Sequence, residues 1–385
     1  MEQNKLYWLW LTSLRGVSHV TITALLEQFD TVEAIYAEKD FSRIEGIKPA
    51  AKRALGDKSL KNAERIFDVC NRKGIDILTY DDIDYPDVLR GIFQPPYVLY
   101  LRGERMHWDR ILGIGIVGTR RCGRYGLEVT RNISLDLAEN GVTIITGMAR
   151  GIDTQAARAA LDAGGKTIAV LGSGVDVCYP AENKGLMAEI MENGAVISEF
   201  PPGTPPFRVN FPWRNRIISG LSRGVLVTEA PQKSGALITA ERALEQGRDI
   251  FAVPGSVFDA NCAGTNRLLA EGAKAVSKAS DILDEYTYEI ERLKLEKPKG
   301  IRRFFASKGE MVTNEIRITL DDKRFATLSE DEKKIIGLLI EGNKHIDDIA
   351  RGSGIDTAKL TGTLAMLEFS GHIQKIPGNN YKLSL

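Results

Sequence analysis

Residues 111–124 read Ile111-Leu112-Gly113-Ile114-Gly115-Ile116-Val117-Gly118-Thr119-Arg120-Arg121-Cys122-Gly123-Arg124. An unbroken apolar run ends in a glycine turn, and a helical pattern over Gly126–Asn140 follows it. That combination predicts a strand buried on both faces and a crossover helix. The same unit recurs. Further apolar runs lie at Val142–Thr146, Thr167–Leu171, Ala195–Ile197, Gly224–Thr228, Asp249–Val253 and Lys274–Val276. Helical stretches at Ile152–Ala163, Lys184–Asn193, Arg214–Leu221, Ala236–Gln246 and Gly264–Glu271 alternate with them. Residues 78–285 are therefore expected to form an α/β domain, a Rossmann-like, doubly wound and mostly parallel sheet.

Outside this zone the periodicity changes. Residues 1–77 read as short helices (Leu6–Leu14, Ile22–Gln28, Thr31–Ala37, Ala50–Leu55, Leu60–Lys73), a small domain of SAM or helix-hairpin-helix type. Two of its turns, Leu14-Arg15-Gly16-Val17 and Ile44-Glu45-Gly46-Ile47, share one pattern. Glycine there either ends a helix or lets the turn approach a phosphate backbone. Residues 286–325 are charged, contain Pro298 and Gly300, and are expected as a linker. Residues 326–385 give helices at Glu330–Leu339, His345–Gly352 and Thr357–Ser370, then a hairpin from Gly371–Ile376 and Asn380–Leu383. That is the winged-helix order; its 7 basic and 8 acidic residues leave open whether it meets DNA or protein.

Composition narrows the chemistry. The 385 residues carry 51 Lys+Arg against 51 Asp+Glu, so no overall basic charge points to nucleic acid. No apolar run reaches the roughly 18 residues of a membrane span, and the first residues make a poor secretory signal. Cys70, Cys122, Cys178 and Cys262 are widely spaced and lack neighbouring histidines, which argues against zinc and against a disulfide framework and fits a cytoplasmic protein. No metal, cofactor or catalytic residue is expected. Gly113, Gly115 and Gly118 spell GxGxxG, but the first two fall inside a strand and no ribose-binding acid follows the second strand.

The glycine turns carry arginine instead. Turns at 118–123, 147–153, 172–176 and 233–239 each follow a predicted strand, where helix N-termini aim N–H groups at anions. Arg120, Arg121, Arg124 and Arg150 sit beside them, and Arg208, Arg214 and Arg216 come from the segment 207–218. Residues 78–285 hold 17 Arg to 5 Lys, and the guanidinium fork suits bidentate phosphate contacts. Phe200, Phe207, Phe211 and Trp213 interleave with five prolines in the same region. Arginine beside exposed rings suits a single-stranded polynucleotide, whose bases stack on a ring at about 1–3 kcal/mol each.

In order, the chain carries Gly118-Thr119-Arg120, Gly147-Met148-Ala149-Arg150-Gly151-Ile152-Asp153, Gly172-Ser173-Gly174-Val175-Asp176 with Tyr179-Pro180, Ser198-Glu199-Phe200-Pro201, Arg214-Asn215-Arg216-Ile217-Ile218, Lys233-Ser234-Gly235-Ala236-Leu237-Ile238-Thr239 and Val253-Pro254-Gly255. In these motifs it resembles the bacterial DNA-processing protein A (DprA/Smf) family across the whole α/β zone. The resemblance implies a cytoplasmic protein that binds incoming single-stranded DNA in natural transformation, protects it and helps load the RecA recombinase. It also implies a homodimer formed through the α/β domain. By the same resemblance, backbone around Gly118, Thr119 and Arg120 and around Gly172, Ser173 and Gly174 would hold phosphates with Arg150, Arg208, Arg214 and Arg216. Lys233, Ser234 and Thr239 would add weaker phosphate contacts, Asn215 would fix loop geometry, and Phe211 would stack a base.

An enzymatic alternative is a nucleotide hydrolase of the lysine-decarboxylase-like family. Such enzymes use a PGGxGTxxE stretch; residues 230–241 here read APQKSGALITAE, without the second glycine pair. Glu241 is then expected as a surface helix residue. A scaffold that binds only protein would leave the arginine-rich edge without a role.

Overall fold

The structure is a computed structural model and describes residues 2–295, 328–340, 344–370, 372–376 and 380–383. The run quoted first becomes strand β3 of a nine-stranded sheet: β1 (Asp76–Thr79), β2 (Val98–Gly103), β3 (Gly113–Val117), β4 (Thr143–Thr146), β5 (Thr167–Val170), β6 (Gly194–Ser198), β7 (Gly224–Val227), β8 (Asp249–Ala252) and β9 (Lys274–Ala275). Their order across the sheet is β1-β2-β6-β5-β4-β3-β7-β8-β9. Strands β3 to β9 pair in parallel, while β2 runs antiparallel to both β1 and β6. The doubly wound expectation holds, and β3 to β7 are buried along their whole length, which is why they read as unbroken apolar runs. The antiparallel pair β1 and β2 was not expected. A proline-containing connection separates its short strands, so neither strand carries a local hairpin signal.

One topological fact positions the site. Starting from β3 the chain winds outward through β4, β5 and β6, then returns to β7 beside β3 and winds the other way. The loops leaving β3 and β7 therefore part at their carboxyl ends and open a crevice. Gly113 and Gly115 lie in β3, as the sequence indicates. A Cβ on Gly115 would come within 2.8 Å of Ser222 Oγ, and one on Gly113 within 2.5 Å of Ile145 Cδ1. These glycines serve close packing within the sheet layers.

The expected boundary near residue 77 is not a break in packing. Helices Glu2–Ser13, His19–Leu26, Val32–Ala37, Pro49–Leu55 and Lys61–Lys73 share one apolar core with the sheet's edge and the helix Lys184–Glu192. Trp8 stacks on Tyr97 with ring centroids 5.8 Å apart. Met1–Pro298 accordingly forms one compact unit and Lys299–Leu385 a second. The expected linker also begins as structure: Tyr286 is buried, its hydroxyl donates to Asp249 Oδ2 at 2.6 Å, and helix Thr287–Leu295 follows. The rest of that segment, from 296 on, lies outside the described residues. In the second unit, helices Glu330–Ile340, Ile346–Ser353 and Thr357–Phe369 pack around Ile335, Ile336, Leu360 and Leu364. An antiparallel sheet of Lys344–His345, Asn380–Leu383 and Ile373–Ile376 completes it, while Gly371 of the expected hairpin lies outside the described residues. No helix among the described residues is long and apolar enough to cross a membrane.

A buried ion pair ties the helical segment to the α/β core. Arg216 Nη2 donates to Glu199 Oε1 at 2.6 Å, and His19 Nε2 lies 2.7 Å from the same oxygen. Trp213 packs on His19 at 5.0 Å and beneath the Arg216 guanidinium at 4.5 Å. Burial pushes the Glu199 carboxyl up, but the Arg216 charge and the His19 hydrogen bond outweigh it and hold it below its ordinary range. Glu199→Gln should cost about 3–5 kcal/mol in denaturant unfolding near neutral pH, because it strands a buried guanidinium. A lowered carboxylate stabilises above its unfolded value of about 4.3 and loses that contribution as pH falls through the folded value. Wild type and Glu199→Gln should therefore converge in acid; a gap that persists below both values would refute the ion-pair account.

Candidate nucleic-acid interface

The first wall of the crevice is the loop leaving β3. Glu229, buried just past β7, accepts the Gly123 N–H through both carboxylate oxygens at 2.9 and 3.2 Å. The Thr119 N–H donates to the Glu229 carbonyl at 2.7 Å. The loop closes this tightly because its glycines carry no Cβ: one on Gly126 would lie 2.0 Å from Glu229 Oε2, and one on Gly118 would lie 2.5 Å from Ile152. Pinned from below, the loop presents Arg120 and Arg121 to solvent.

The second wall leaves β7. Lys233 is exposed, and Ser234 Oγ caps helix Gly235–Glu245 by accepting the Ala236 N–H at 3.3 Å. Asn215 Nδ2 donates to the Gly235 carbonyl at 3.2 Å and fixes that helix start, the positioning role expected of it. The third wall is the loop before helix Asn210–Leu221, which carries exposed Arg208. Asn210 Nδ2 donates to the Gly172 carbonyl at 2.9 Å, and the Phe211 ring rests on Gly172, where a Cβ would come within 3.0 Å of it. The Arg120 guanidinium lies 5.5 Å from the centre of that ring, Arg214 lies 5.8 Å away, and the exposed Tyr179 ring adjoins it at 5.5 Å. These walls enclose an open groove of about 830 Å³ at the carboxyl ends of β3 and β7. Arg120, Arg121, Arg208 and Lys233 all line it, and none makes an ion pair among the described residues.

Several expected site residues lie elsewhere or act differently. Arg216 does not line the groove; it is the buried partner of Glu199 described above. Arg214 touches the groove but is buried: its Nη1 donates to the Gly147 carbonyl at 3.0 Å and to the Val170 carbonyl. Burial pulls its guanidinium down to about 10, against the attraction of Asp153, so it stays charged at neutral pH. Asp153 is itself buried and accepts the N–H groups of Gly147 and Ala149 at 3.1 and 3.4 Å. The turn Gly172-Ser173-Gly174 is buried too, with Ser173 Oγ donating to the Val177 carbonyl and the Gly174 N–H donating to the Thr204 carbonyl. It seats Phe211 and the loop 201–204, rather than offering those groups to a phosphate. Thr119 likewise uses its N–H internally while its side chain borders the groove. Arg150 lies at the groove's edge, paired with Glu182 in an exposed, solvent-screened contact. A phosphate could exchange for that carboxylate at little cost.

Tyr179 and Asn261 line the groove without having been read as site residues; Asn261 Nδ2 donates to the Arg121 carbonyl at 3.3 Å. Tyr179 lies inside a quoted motif, whereas Asn261 reaches the groove only through the fold. For acid–base chemistry the groove offers little. Asp153 is its lining carboxylate, already held by backbone donors, and Glu241 is exposed on its helix away from the lining. The two kinds of arginine should separate in urea unfolding. Arg214→Ala should cost about 3 kcal/mol, since it strands Asp153 and two carbonyls, and Arg120→Ala about 0.5 kcal/mol or less. Equal costs would mean that Arg214 is not buried as described.

Comparison with known proteins agrees with this architecture. Residues 76–287 match DNA recombination-mediator protein A, and residues 323–379 match the DprA winged helix domain. Protein Smf of Synechocystis sp. is 35% identical over 98% of this chain and 98% of its own length. The structure of DNA processing protein A from Streptococcus pneumoniae is similar with a TM-score of 0.63 and 36% identity, covering 74% of this chain and 98% of that one. DNA processing protein A from Helicobacter pylori, solved for its single-stranded DNA binding mode, is similar with a TM-score of 0.50 and 30% identity, covering 56% and 96%. With sheet, groove and winged-helix unit all accounted for, the chain belongs to the DNA recombination-mediator protein A family.

Proposed function

We propose that the groove binds single-stranded DNA along its phosphate backbone, with one base stacked at Phe211 and no bond broken. The observation that carries this reading is the set of four exposed, unpaired cations, Arg120, Arg121, Arg208 and Lys233, around an aromatic ring held in place by Gly172. Free cationic donors suit phosphate oxygens, and a run of them fits a polymer better than one small anion. The single-strand binding of the Helicobacter pylori relative supports the same reading. In the cell the strand would be DNA taken up in natural transformation, which the protein shields in the cytoplasm and passes to the RecA recombinase. A homodimer formed through the α/β domain would present two such grooves to one strand.

If four phosphates are neutralised, log affinity for an oligonucleotide should fall with log salt at a slope near −3, at about 0.7 per phosphate. Each of Arg120→Ala, Arg208→Ala and Lys233→Ala should flatten that slope by about 0.7. Phe211→Ala should weaken binding by about 1–3 kcal/mol and leave the slope unchanged. Salt-independent affinity would reject the backbone reading, and release of free base from nucleoside monophosphates would favour the hydrolase instead.

A further inference from the structure

The end of the sheet opposite the groove carries a cavity of its own. It lies at the amino ends of β3 and β7, encloses about 270 Å³ and shares no lining residue with the groove. Its inner wall is aliphatic: Ile145 and Ile168 reach it from β4 and β5, and Ile111 and Leu221 close its sides. Ile145 and Ile168 are fully buried, so the cavity reaches down to the sheet itself. The partly buried Trp108 adds a ring to the wall. Ser222 also lines it, but its hydroxyl is engaged, donating to the Ile218 carbonyl at 2.7 Å.

The rim is cationic. Arg223 and Arg292, the latter on helix Thr287–Leu295, both line the cavity, and no carboxylate among the described residues does. Arg223 is exposed and makes no ion pair or side-chain hydrogen bond among the described residues. Arg248 adjoins the site: its Nη2 donates to the carbonyl of Val88, which lines the cavity, at 3.4 Å and to that of Gly220 at 3.0 Å. Its Nε is buried with no hydrogen-bond partner. Burial, and then repulsion from Arg223, pull the Arg248 guanidinium below its ordinary range. The nearby acids are engaged elsewhere, since Asp249 accepts the Tyr286 hydroxyl at 2.6 Å and Glu285 pairs with Lys274. Two guanidiniums that repel, with no acid between them, leave a place that an anionic group would stabilise. An aliphatic wall under a cationic rim matches a ligand of two parts, a hydrocarbon chain and one terminal anion. A polynucleotide is a poor match, because 270 Å³ of mostly apolar space, against 830 Å³ in the groove, has no room for successive phosphates.

We infer that this cavity is a second ligand site, which takes a small amphipathic anion: a short acyl or alkyl chain ending in a carboxylate or a phosphate. The chain lies along Ile145, Ile168 and Trp108, and the head group meets Arg223. The test titrates the full chain with octanoate, octyl phosphate, inorganic phosphate and octanol, following tryptophan fluorescence and calorimetric heat. Octanoate or octyl phosphate should bind saturably, and the tighter of the two identifies the head group. Inorganic phosphate and octanol, each carrying half of that chemistry, should bind more weakly by about tenfold or more. Arg223→Ala should lower affinity for the octyl anion by about tenfold, with melting temperature and single-strand affinity kept. Trp108→Phe should abolish the fluorescence change on binding, and saturating oligonucleotide should leave the octyl anion bound. The inference fails if neither octyl anion binds, or if Arg223→Ala binds them as wild type does. It fails equally if octanol or inorganic phosphate alone binds as tightly, or if the fluorescence change survives in Trp108→Phe, which would put the ligand elsewhere. Displacement by the oligonucleotide would assign the anion to the groove and overturn it too. Failure of the groove reading would show separately, as single-strand binding indifferent to Arg120→Ala and Lys233→Ala.

Discussion

A guanidinium taken out of water lies beneath the carboxyl edge of the sheet, and the arrangement above it depends on how that charge is satisfied. Arg214 sits inside helix Asn210–Leu221, buried from Arg214 to Leu221, and reaches the carbonyls of Gly147 and Val170. A side chain at Gly147 would collide with it, since a Cβ there lies 2.5 Å from Nη1. Asp153 supplies the opposing charge and is in turn held by the turn that contains Gly147. The exits of β4 and β5 and the start of helix Asn210–Leu221 are thereby locked together, and Phe211 is fixed on Gly172 one turn of helix before Arg214.

Charge is thus divided by depth. Buried cations hold the frame: Arg214 under the groove, and Arg216 in the joint with Glu199 and His19. Exposed cations on three separate loops meet solvent around the same ring. The division has a physical basis. A buried guanidinium is committed to the carbonyls and carboxylates packed around it and is nearly closed to solvent, whereas an unpaired surface cation loses little when a phosphate displaces water. Glu229 performs the matching service for the loop after β3, spending its carboxylate on Gly123 so that Arg120 and Arg121 remain free. Among the described residues, the carboxylate that lines the groove, Asp153, is already engaged by the N–H groups of Gly147 and Ala149.

Much of this was written in local sequence. Strand interiors that need cover on both faces cannot tolerate polar positions, so β3 to β7 announced themselves, as did the turns and helices between them. The turn arginines Arg120 and Arg121, together with Arg208 and Phe211, were legible as candidates, and the fold does bring them to one groove. The antiparallel strands β1 and β2 stayed hidden because four to six residues without a tight turn leave no periodic signal. The continuity of the helical segment with the sheet stayed hidden because Trp8 and Tyr97 meet across a long stretch of chain.

Apolar period and turn placement thus determined an α/β sheet flanked by helical units, and put arginine and aromatic residues beside its glycine turns. They could not say which arginines face water. Arg214 and Arg216 are two positions apart on one helix, in the motif that looks most like a phosphate clamp, yet both are buried, one under the groove and one in the joint to the helical segment. Side-chain environment is set by what packs against each face of that helix, and those partners, Gly147 and Val170 on one side and Glu199 and His19 on the other, come from distant parts of the chain. Only the assembled sheet, with its winding reversed between β3 and β7, brings Arg120, Arg121, Arg208 and Lys233 around one ring.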